Sequence, residues 1–437
     1  MRVLVTGATG FIGRALIAAL LRAGHAVVCA ARHPPAATGE RTRCEPLAVD
    51  FAGLPGPDWW LPRLRGVDAV VNAVGILRER RGQTFQALHE QAPIALFEGC
   101  ARAGVPYVVQ ISALGADAGA QSRYHLTKRA ADEALRQLPL RSTIVQPSLV
   151  YGAGGASASM FNGMATLPLL ALPRGGAMQV QPVHVDDVVA GVLAALDAPP
   201  PRTATIAFVG PESMTLRAFL AALRQQLGLR GPLRVVAMPE RLFRWGASVA
   251  GRVPGSFLDS ETAGMLLRGN AAPAAPFAQL LGRSPRPVSG FVEPERADAL
   301  RQEAVLGTWL PALRWSVALL WIWTGIVSLG LYPVADSLAL LARVGLEGVA
   351  AQVALYGAAA LDLALGLATL LVPARWRGPV WAAQLLLIFG YTALITLFLP
   401  EYWLHPYGPI SKNLPLLAAI ALLWAMEPPP PPRPKAP

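Results

Sequence analysis

The sequence predicts a doubly wound parallel α/β sheet followed by an all-α transmembrane bundle of about four helices. Three observations predict it. Short β-branched runs alternate with helical patterns over residues 1–150, a glycine-spaced loop joins the first such run to the first helical pattern, and long apolar runs are confined to the chain beyond Thr308.

In the first part, residues 3–5, 26–30, 69–72, 107–111 and 142–145 read as strands, and 16–23, 84–103 and 124–138 as the helices between them. Gly66, Gly104, Pro106 and Pro139 punctuate the joins. From about 151 to 300 the pattern loosens into a small substrate-side lobe, with a strand near 205–209, an amphipathic helix over 216–227 and Gly- and Pro-rich loops. Residues 1–300 are therefore expected to form one nucleotide-binding domain with that lobe appended, and 301–427 a membrane domain. A proline-rich tail, 428–437, needs no fold.

The membrane domain rests on four apolar segments, 309–331, 350–372, 379–399 and 414–426. The first three have the roughly 20 residues a bilayer crossing needs, and the fourth is short. Arg296 and Arg301 precede the first segment and Arg314 lies in its first turns, Arg375 and Arg377 lie between the second and third, and Arg433 and Lys435 follow the fourth. The other two connections hold only Arg343 and Lys412. The positive-inside rule then places the N-terminal domain and the C-terminus in the cytoplasm of a multi-pass inner-membrane protein. Met1-Arg2-Val3-Leu4-Val5 runs straight into the glycine loop with no apolar leader, so export of this domain is not expected.

Composition fits this division. The chain of 437 residues is 53% hydrophobic and 15% charged, too apolar for an ordinary soluble protein and too charged to be membrane throughout. Its net charge of +11 does not read as nucleic-acid binding, because the arginines are scattered and only Lys128, Lys412 and Lys435 are lysines. A surface facing anionic lipid accounts for the sign. Cys29, Cys44 and Cys100 have no CxxC or Cys/His ligand spacing, so they are expected to be reduced thiols, and no metal site is expected.

The glycine loop is Gly7-Ala8-Thr9-Gly10-Phe11-Ile12-Gly13, between a strand and a helix, as in a Rossmann-type NAD(P) domain. Gly7 allows the tight turn, Gly10 the approach of a pyrophosphate, and Gly13 close packing of helix on strand, while the helix N-terminus offers N–H donors to phosphate. Gly7, Thr9, Gly10, Phe11, Ile12 and Gly13 are the candidate cofactor contacts here. An Asp or Glu closing the second strand would hold the ribose hydroxyl of NAD. This strand instead runs out through Ala30-Ala31-Arg32-His33, and a guanidinium suits a 2′-phosphate, so NADP(H) is favoured over NAD(H).

Tyr124-His125-Leu126-Thr127-Lys128 puts a phenol and an ammonium on one helical face, where Lys128 is expected to lower the Tyr124 pKa for acid/base work. With eight tyrosines and three lysines in the chain, chance supplies only about 0.05 such pairs. Asp186 and Asp187 read as caps of a helix starting near Val188 rather than a catalytic carboxylate pair, and His184 as a packed structural histidine.

These residues together resemble the short-chain dehydrogenase/reductase superfamily, in its extended and atypical branches. Ser112-Ala113-Leu114-Gly115-Ala116, Ser122-Arg123-Tyr124 with Lys128, Gln146-Pro147-Ser148-Leu149-Val150-Tyr151-Gly152 and Val183-His184-Val185-Asp186-Asp187-Val188 look most like the nucleotide-binding accessory subunit of respiratory complex I, over roughly 1–290. Gln146 replaces an arginine common in that pattern. The resemblance implies that Ser112 polarises a carbonyl, Tyr124 is the acid/base, and Lys128 also binds the nicotinamide ribose. It further implies that Asp50 contacts adenine and that Asn72, Ala73, Gly75 and Pro147 line the cofactor.

Residues 308–426 resemble the DoxX-like family of four-helix membrane proteins, through Trp403-Leu404-His405-Pro406-Tyr407-Gly408-Pro409 and Lys412-Asn413-Leu414-Pro415. Asp362 is the one acid inside a predicted span. Two functions follow. One is an NADP(H)-linked oxidoreductase that reduces a carbonyl, or runs the reverse, on an apolar, quinone or lipid-like substrate from the bilayer. The other is a non-catalytic NADP-binding scaffold or assembly factor for a membrane redox complex.

Overall fold

Seven parallel strands organise the first part of the chain, and the computed structural model describes residues 1–34, 44–252 and 258–428. β1 (Arg2–Thr6), β2 (Ala26–Ala31), β3 (Cys44–Ala48), β4 (Ala69–Asn72), β5 (Tyr107–Ile111) and β6 (Arg141–Pro147) are joined by a seventh strand, Ala204–Phe208. From one edge the order is Ala204–Phe208, β6, β5, β4, β1, β2, β3. The chain winds one way from β1 to β3 and the other way from β4 onward. The switch point therefore lies between β1 and β4, where Val5 pairs with Val71 and Thr6 with Asn72.

Both faces of the sheet are buried, as a parallel sheet requires. Val3 and Val5 of β1 face a core with Leu16 and Leu20 of helix α1 (Phe11–Arg22), Val188, Val192 and Phe208. Leu4, on the opposite face, packs with Trp60 from the short helix α2 (Pro57–Trp60), with Leu96 and Phe97 of α3 (Ala92–Ala103), and with Leu135 of α4 (Arg123–Gln137). A separate core around Tyr151, Phe161, Phe219, Leu220, Leu223 and Phe291 holds together the lobe formed after β6.

Three local features differ from the sequence reading. β3 reads Cys44-Glu45-Pro46-Leu47-Ala48, whose proline and acid argue against a strand, but it is the sheet edge, where a missing N–H costs no ladder bond. Cys29 and Cys44, expected as free thiols, are joined by a disulfide, because β2 and β3 are paired neighbours. Cys100 alone is a free, buried thiol. The helix expected over 84–103 begins instead as a π-helical stretch, Gln86–Gln91. Pro93 has no N–H for the carbonyl of His89, and the ladder is displaced just there.

The chain divides into two compact units, Met1–Ala304 and Val305–Pro437. Among the described residues three helices are long and apolar enough to cross a membrane: Pro294–Leu331, which begins before that division, Gly348–Leu371 and Gly378–Phe398. The fourth apolar segment forms Asn413–Ala425, whose 13 residues fall short of a 30 Å hydrocarbon layer. An unexpected helix, Val334–Arg343, lies between the first and second. At one end of the bundle Arg377 pairs with Glu427 at 2.7 Å, and at the other Arg343 pairs with Glu401. The tail, with Arg433 and Lys435, lies outside the described residues.

Candidate active site

The glycine loop leaves β1 in a conformation only glycine tolerates. Gly7 has φ +66°, and a Cβ there would sit 2.6 Å from the Ala73 carbonyl oxygen. A Cβ on Gly13 would lie 2.1 Å from the Gly7 oxygen, so α1 rests directly on the loop. Gly10 caps α1 with no side-chain hydrogen bond, which leaves the first-turn amides of the helix to an anion. This cradle fits a dinucleotide pyrophosphate.

The neighbouring strand ends bring the other candidates to the same edge. The Ala8 amide donates to the Ala30 carbonyl at 3.2 Å, so the end of β2 adjoins the loop, and Arg32 stands exposed just beyond it. Asp50 caps a short turn after β3, accepting from the Ala52 amide at 3.1 Å. Thr6, Asn72 and Gln110 form a buried row across β1, β4 and β5. The Thr6 hydroxyl donates to Asn72 Oδ1 at 2.6 Å, and Asn72 Nδ2 donates to Gln110 Oε1 at 2.7 Å. This row holds Asn72 rigid behind Ala73 and Gly75.

Ser122 caps α4, its hydroxyl accepting from the His125 amide, and fixes the turn that carries Tyr124. Lys128 is buried, with Nζ donating to the carbonyls of Ile111 at 3.0 Å and Val74 at 3.2 Å. Burial pulls its pKa down, opposed by the nearby Asp132 carboxylate. A Cβ on Gly75 would come within 3.3 Å of Nζ, so the absence of a side chain there keeps the ammonium approachable.

Tyr124 stands edge-on to Phe85, His89 and His125, with ring centroids 5.7, 5.1 and 5.3 Å away. Burial pushes its phenol up to about 12. The shift runs opposite to the lowering expected from Lys128, because burial of the phenol dominates. Ser112 follows β5, and its hydroxyl donates to Asp132 Oδ2 at 2.5 Å. Burial raises the Asp132 pKa, opposed by that hydrogen bond and by Lys128.

Sequence reasoning did not single out His89, Asp132 or Arg268. His89 is fully buried on the π-helical stretch, accepts from the Ile76 amide at 2.9 Å and stacks on Phe85. Burial first, and Lys128 second, depress its pKa to about 2, so it is a neutral wall beside Tyr124. Asp132 follows Lys128 by one helical turn, a spacing visible in the sequence. Arg268 gives no such signal. It reaches from the lobe helix Ser260–Arg268 to the Gly115 carbonyl at 2.8 Å and to Asp117 at 2.7 Å.

Other residues singled out in the sequence make contacts between segments. The Pro147 carbonyl accepts from the Leu114 amide, and Gln146 reaches the Ala116 carbonyl at 3.4 Å. The helix expected near Val188 starts at Val185, and its cap is His184, not an aspartate. Asp187 is instead buried, accepting from Arg283 at 2.6 Å and from the Arg286 amide at 2.7 Å. A cavity of about 300 Å³ beside Phe11 is lined by Arg14, Tyr151, His184, Asp186 and Arg296, and by none of Ser112, Tyr124 or Lys128. In the second unit Asp362 is 4% exposed, with Oδ1 lacking a partner among the described residues.

Comparison with known proteins agrees with this architecture. Residues 3–207 match the NAD dependent epimerase/dehydratase family, and residues 318–421 match the DoxX-like family. Ceramide reductase of Caulobacter vibrioides is 28% identical over 194 residues, 44% of this chain and 60% of that protein. NADH dehydrogenase [ubiquinone] 1 alpha subcomplex subunit 9 of Arabidopsis thaliana is 31% identical over 204 residues, 44% of this chain and 49% of that protein. The chain thus spans about half to three fifths of these relatives. MoeE5 in complex with UDP-glucuronic acid and NAD shares the fold at TM-score 0.51 and 20% identity, over 68% of this chain and 98% of that one. UDP-glucuronic acid 4-epimerase from Bacillus cereus does so at 0.51 and 20%, over 69% and 99%.

Proposed function

We propose that this chain, which joins an epimerase/dehydratase-type NAD-binding domain to a DoxX-like membrane domain, is an NADP(H)-dependent oxidoreductase acting on an apolar, membrane-derived carbonyl or alcohol. The observation that carries the reading is that the buried Lys128 donates to Val74 beside Gly75, while Tyr124, one helical turn earlier, packs edge-on against His89, whose ring adjoins the same loop and accepts from the Ile76 amide. NADP(H), when bound, supplies or accepts the hydride.

The residues then divide the remaining work. The first-turn amides of α1 hold the pyrophosphate and Arg32 the 2′-phosphate. Lys128, already placed at two carbonyls, offers its remaining N–H to the ribose. Tyr124 Oη gives a proton to the substrate oxygen as negative charge develops there, and Ser112 orients that oxygen. A phenol near 12 stays protonated at neutral pH, which suits the reductive direction. The rings of Phe85 and the neutral His89 flank the half-buried phenol.

The name of the Caulobacter relative, ceramide reductase, supports a long-chain lipid as the substrate class. The complex I relatives support the second reading, a nucleotide-binding scaffold, and the Ser112–Asp132 hydrogen bond favours it, because the one proton of that hydroxyl is given to a buried carboxylate and must be withdrawn from it before it can serve a substrate oxygen. The basic ends of the spans favour a cytoplasmic N-terminal domain at the inner membrane. The test is to incubate the detergent-solubilised chain with total membrane lipid and NADPH and to follow lipid masses. A lipid that gains two hydrogens as NADPH is consumed supports the reductase. An unchanged lipid pool with NADPH bound and intact overturns it.

A further inference from the structure

The helix Glu240–Ala250 of the lobe is amphipathic in an unusual sense. Phe243 and Ala247 face inward against Ala263 and Leu267 of the Ser260–Arg268 helix. On another face, at spacings of three and four, Leu242, Trp245 and Val249 point outward and are 50%, 66% and 40% exposed. A helix turned toward water carries polar residues on that side. Here arginines flank the apolar face instead: Arg241, Arg244 and Arg252 are exposed. The one acid, Glu240, is paired with Arg174 at 3.0 Å and Arg244 at 2.8 Å. The strand just before the helix, Arg234–Met238, adds an exposed Arg234 and Val236, and its parallel partner Leu169–Pro173 adds Leu169.

We infer that this face is an interfacial anchor, laid into the surface of an anionic bilayer with Leu242, Trp245 and Val249 below the headgroups and the arginines among the phosphates. Two observations select this occupant. Among the described residues three helices are long and apolar enough to cross a membrane, so the lobe belongs to a chain that a bilayer would hold. The rim is cationic, which attracts lipid phosphate and opposes the same face of a second copy. Tryptophan is also the residue most at home at that depth.

The anchor has a position that matters for the site. Gly251, at its end, accepts a hydrogen bond from the Arg78 side chain, and Arg78 also pairs with Asp259 at 3.6 Å. Arg78 belongs to the loop that begins at Gly75 and Ile76, beside Lys128 and His89. The same loop holds Glu79, which pairs with Arg123 at 2.9 Å next to Tyr124 and accepts from the Phe85 amide. Seating the helix therefore ties the loop beside Lys128 and Tyr124 to the lipid surface, a route for a bilayer-borne substrate. That route rests on the reductase reading, whereas the anchor does not.

The experiment uses the full chain in vesicles of phosphatidylglycerol and phosphatidylcholine. Cys29, Cys44 and Cys100 are buried, so Trp245→Cys supplies the reactive thiol for a nitroxide label. Gln137→Cys, exposed near the end of α4, is the aqueous control. The label at 245 is expected to collide more with oxygen than with a water-soluble nickel chelate, and the control to show the reverse. A label at 245 that behaves like the control overturns the anchor. So does one shielded from both quenchers with spin–spin broadening, the result for a second copy. In Leu242→Ser/Trp245→Ser chains a label at Val249→Cys should return to the aqueous ratio while NADPH binding is kept, which verifies the fold. Absence of turnover in the wild type would remove the reductase reading and leave the label result standing.

Discussion

The Ser112 hydroxyl donates to Asp132 Oδ2 at 2.5 Å, and Asp132 is wholly buried on the helix that also carries Tyr124 and Lys128. Gln110 and Lys128 also face the Asp132 carboxylate, so the Ser112 hydroxyl is one of the few groups that solvate it. Ser112→Ala is therefore expected to lower stability by about 1–3 kcal/mol, the cost of a buried acceptor losing its donor, besides any effect on turnover. Asp132→Leu in the same background should restore part of the loss, because the unpaired carboxyl is gone. Thermal melts of the two variants in detergent decide it. A Ser112→Ala melt equal to the wild type means the pair contributes nothing to the fold.

Arg32 sets the second expectation. It stands exposed one residue past β2, beside the phosphate cradle, with no acid at that strand end. A guanidinium–phosphate pair at a partly exposed site contributes about 1.5–3 kcal/mol, so NADPH should bind roughly ten- to a hundredfold more tightly than NADH. Arg32→Asp should bring the two affinities together or reverse them. Calorimetric titration of both nucleotides checks this, and equal wild-type affinities would defeat the assignment.

Lys128 gives the cofactor site a pH dependence. Its pKa is drawn below the usual lysine value by burial, with Asp132 opposing. If the ammonium helps hold the nucleotide, NADPH affinity should fall as pH rises through that lowered pKa. The sign for stability is opposite. Burial penalises the charged form, so the folded state is favoured most above the unfolded lysine pKa and loses that advantage as pH falls toward the lowered value. Lys128→Met should bind NADPH weakly at every pH and show no slope. Titrations between neutral and alkaline pH compare the two proteins, and an equally flat wild-type profile would rule out the role.

Much of this site is legible in the sequence, for reasons that can be named. Gly7 is dictated by its positive φ and Gly13 by close packing on the loop, while Gly10, in ordinary extended backbone, has room for a Cβ only at 3.0 Å from the Gly7 oxygen. Tyr124 and Lys128 are set one turn apart by helix geometry, so spacing alone reveals them. What escapes depends on contacts between distant segments. Cys29 meets Cys44 only because β3 joins the sheet edge, and a strand containing Pro46 has no periodic signal. Arg268 reaches Asp117 from another lobe, and the state of the Tyr124 phenol depends on rings at 85 and 89 that fold beside it. The aspartates before Val188 show the same limit. They look like caps, but His184 is the cap and Asp187 is held by Arg283 from far along the chain.

The two functional readings part at Tyr124 and Gly10. A reductase needs the phenol when charge develops on the substrate oxygen and scarcely at all for holding the cofactor. Tyr124→Phe keeps the ring that packs against Phe85, His89 and His125, so the fold and NADPH affinity should stay within about 0.5 kcal/mol of the wild type while turnover falls a hundredfold or more. Gly10→Asp places a carboxylate at the start of α1, where the pyrophosphate must approach, and should abolish nucleotide binding. A deletion strain complemented with each variant then separates the readings. Loss of rescue by both variants is the outcome for an enzyme. Rescue by Tyr124→Phe but not by Gly10→Asp would mean that the nucleotide is a structural ligand and that the chain works as a scaffold.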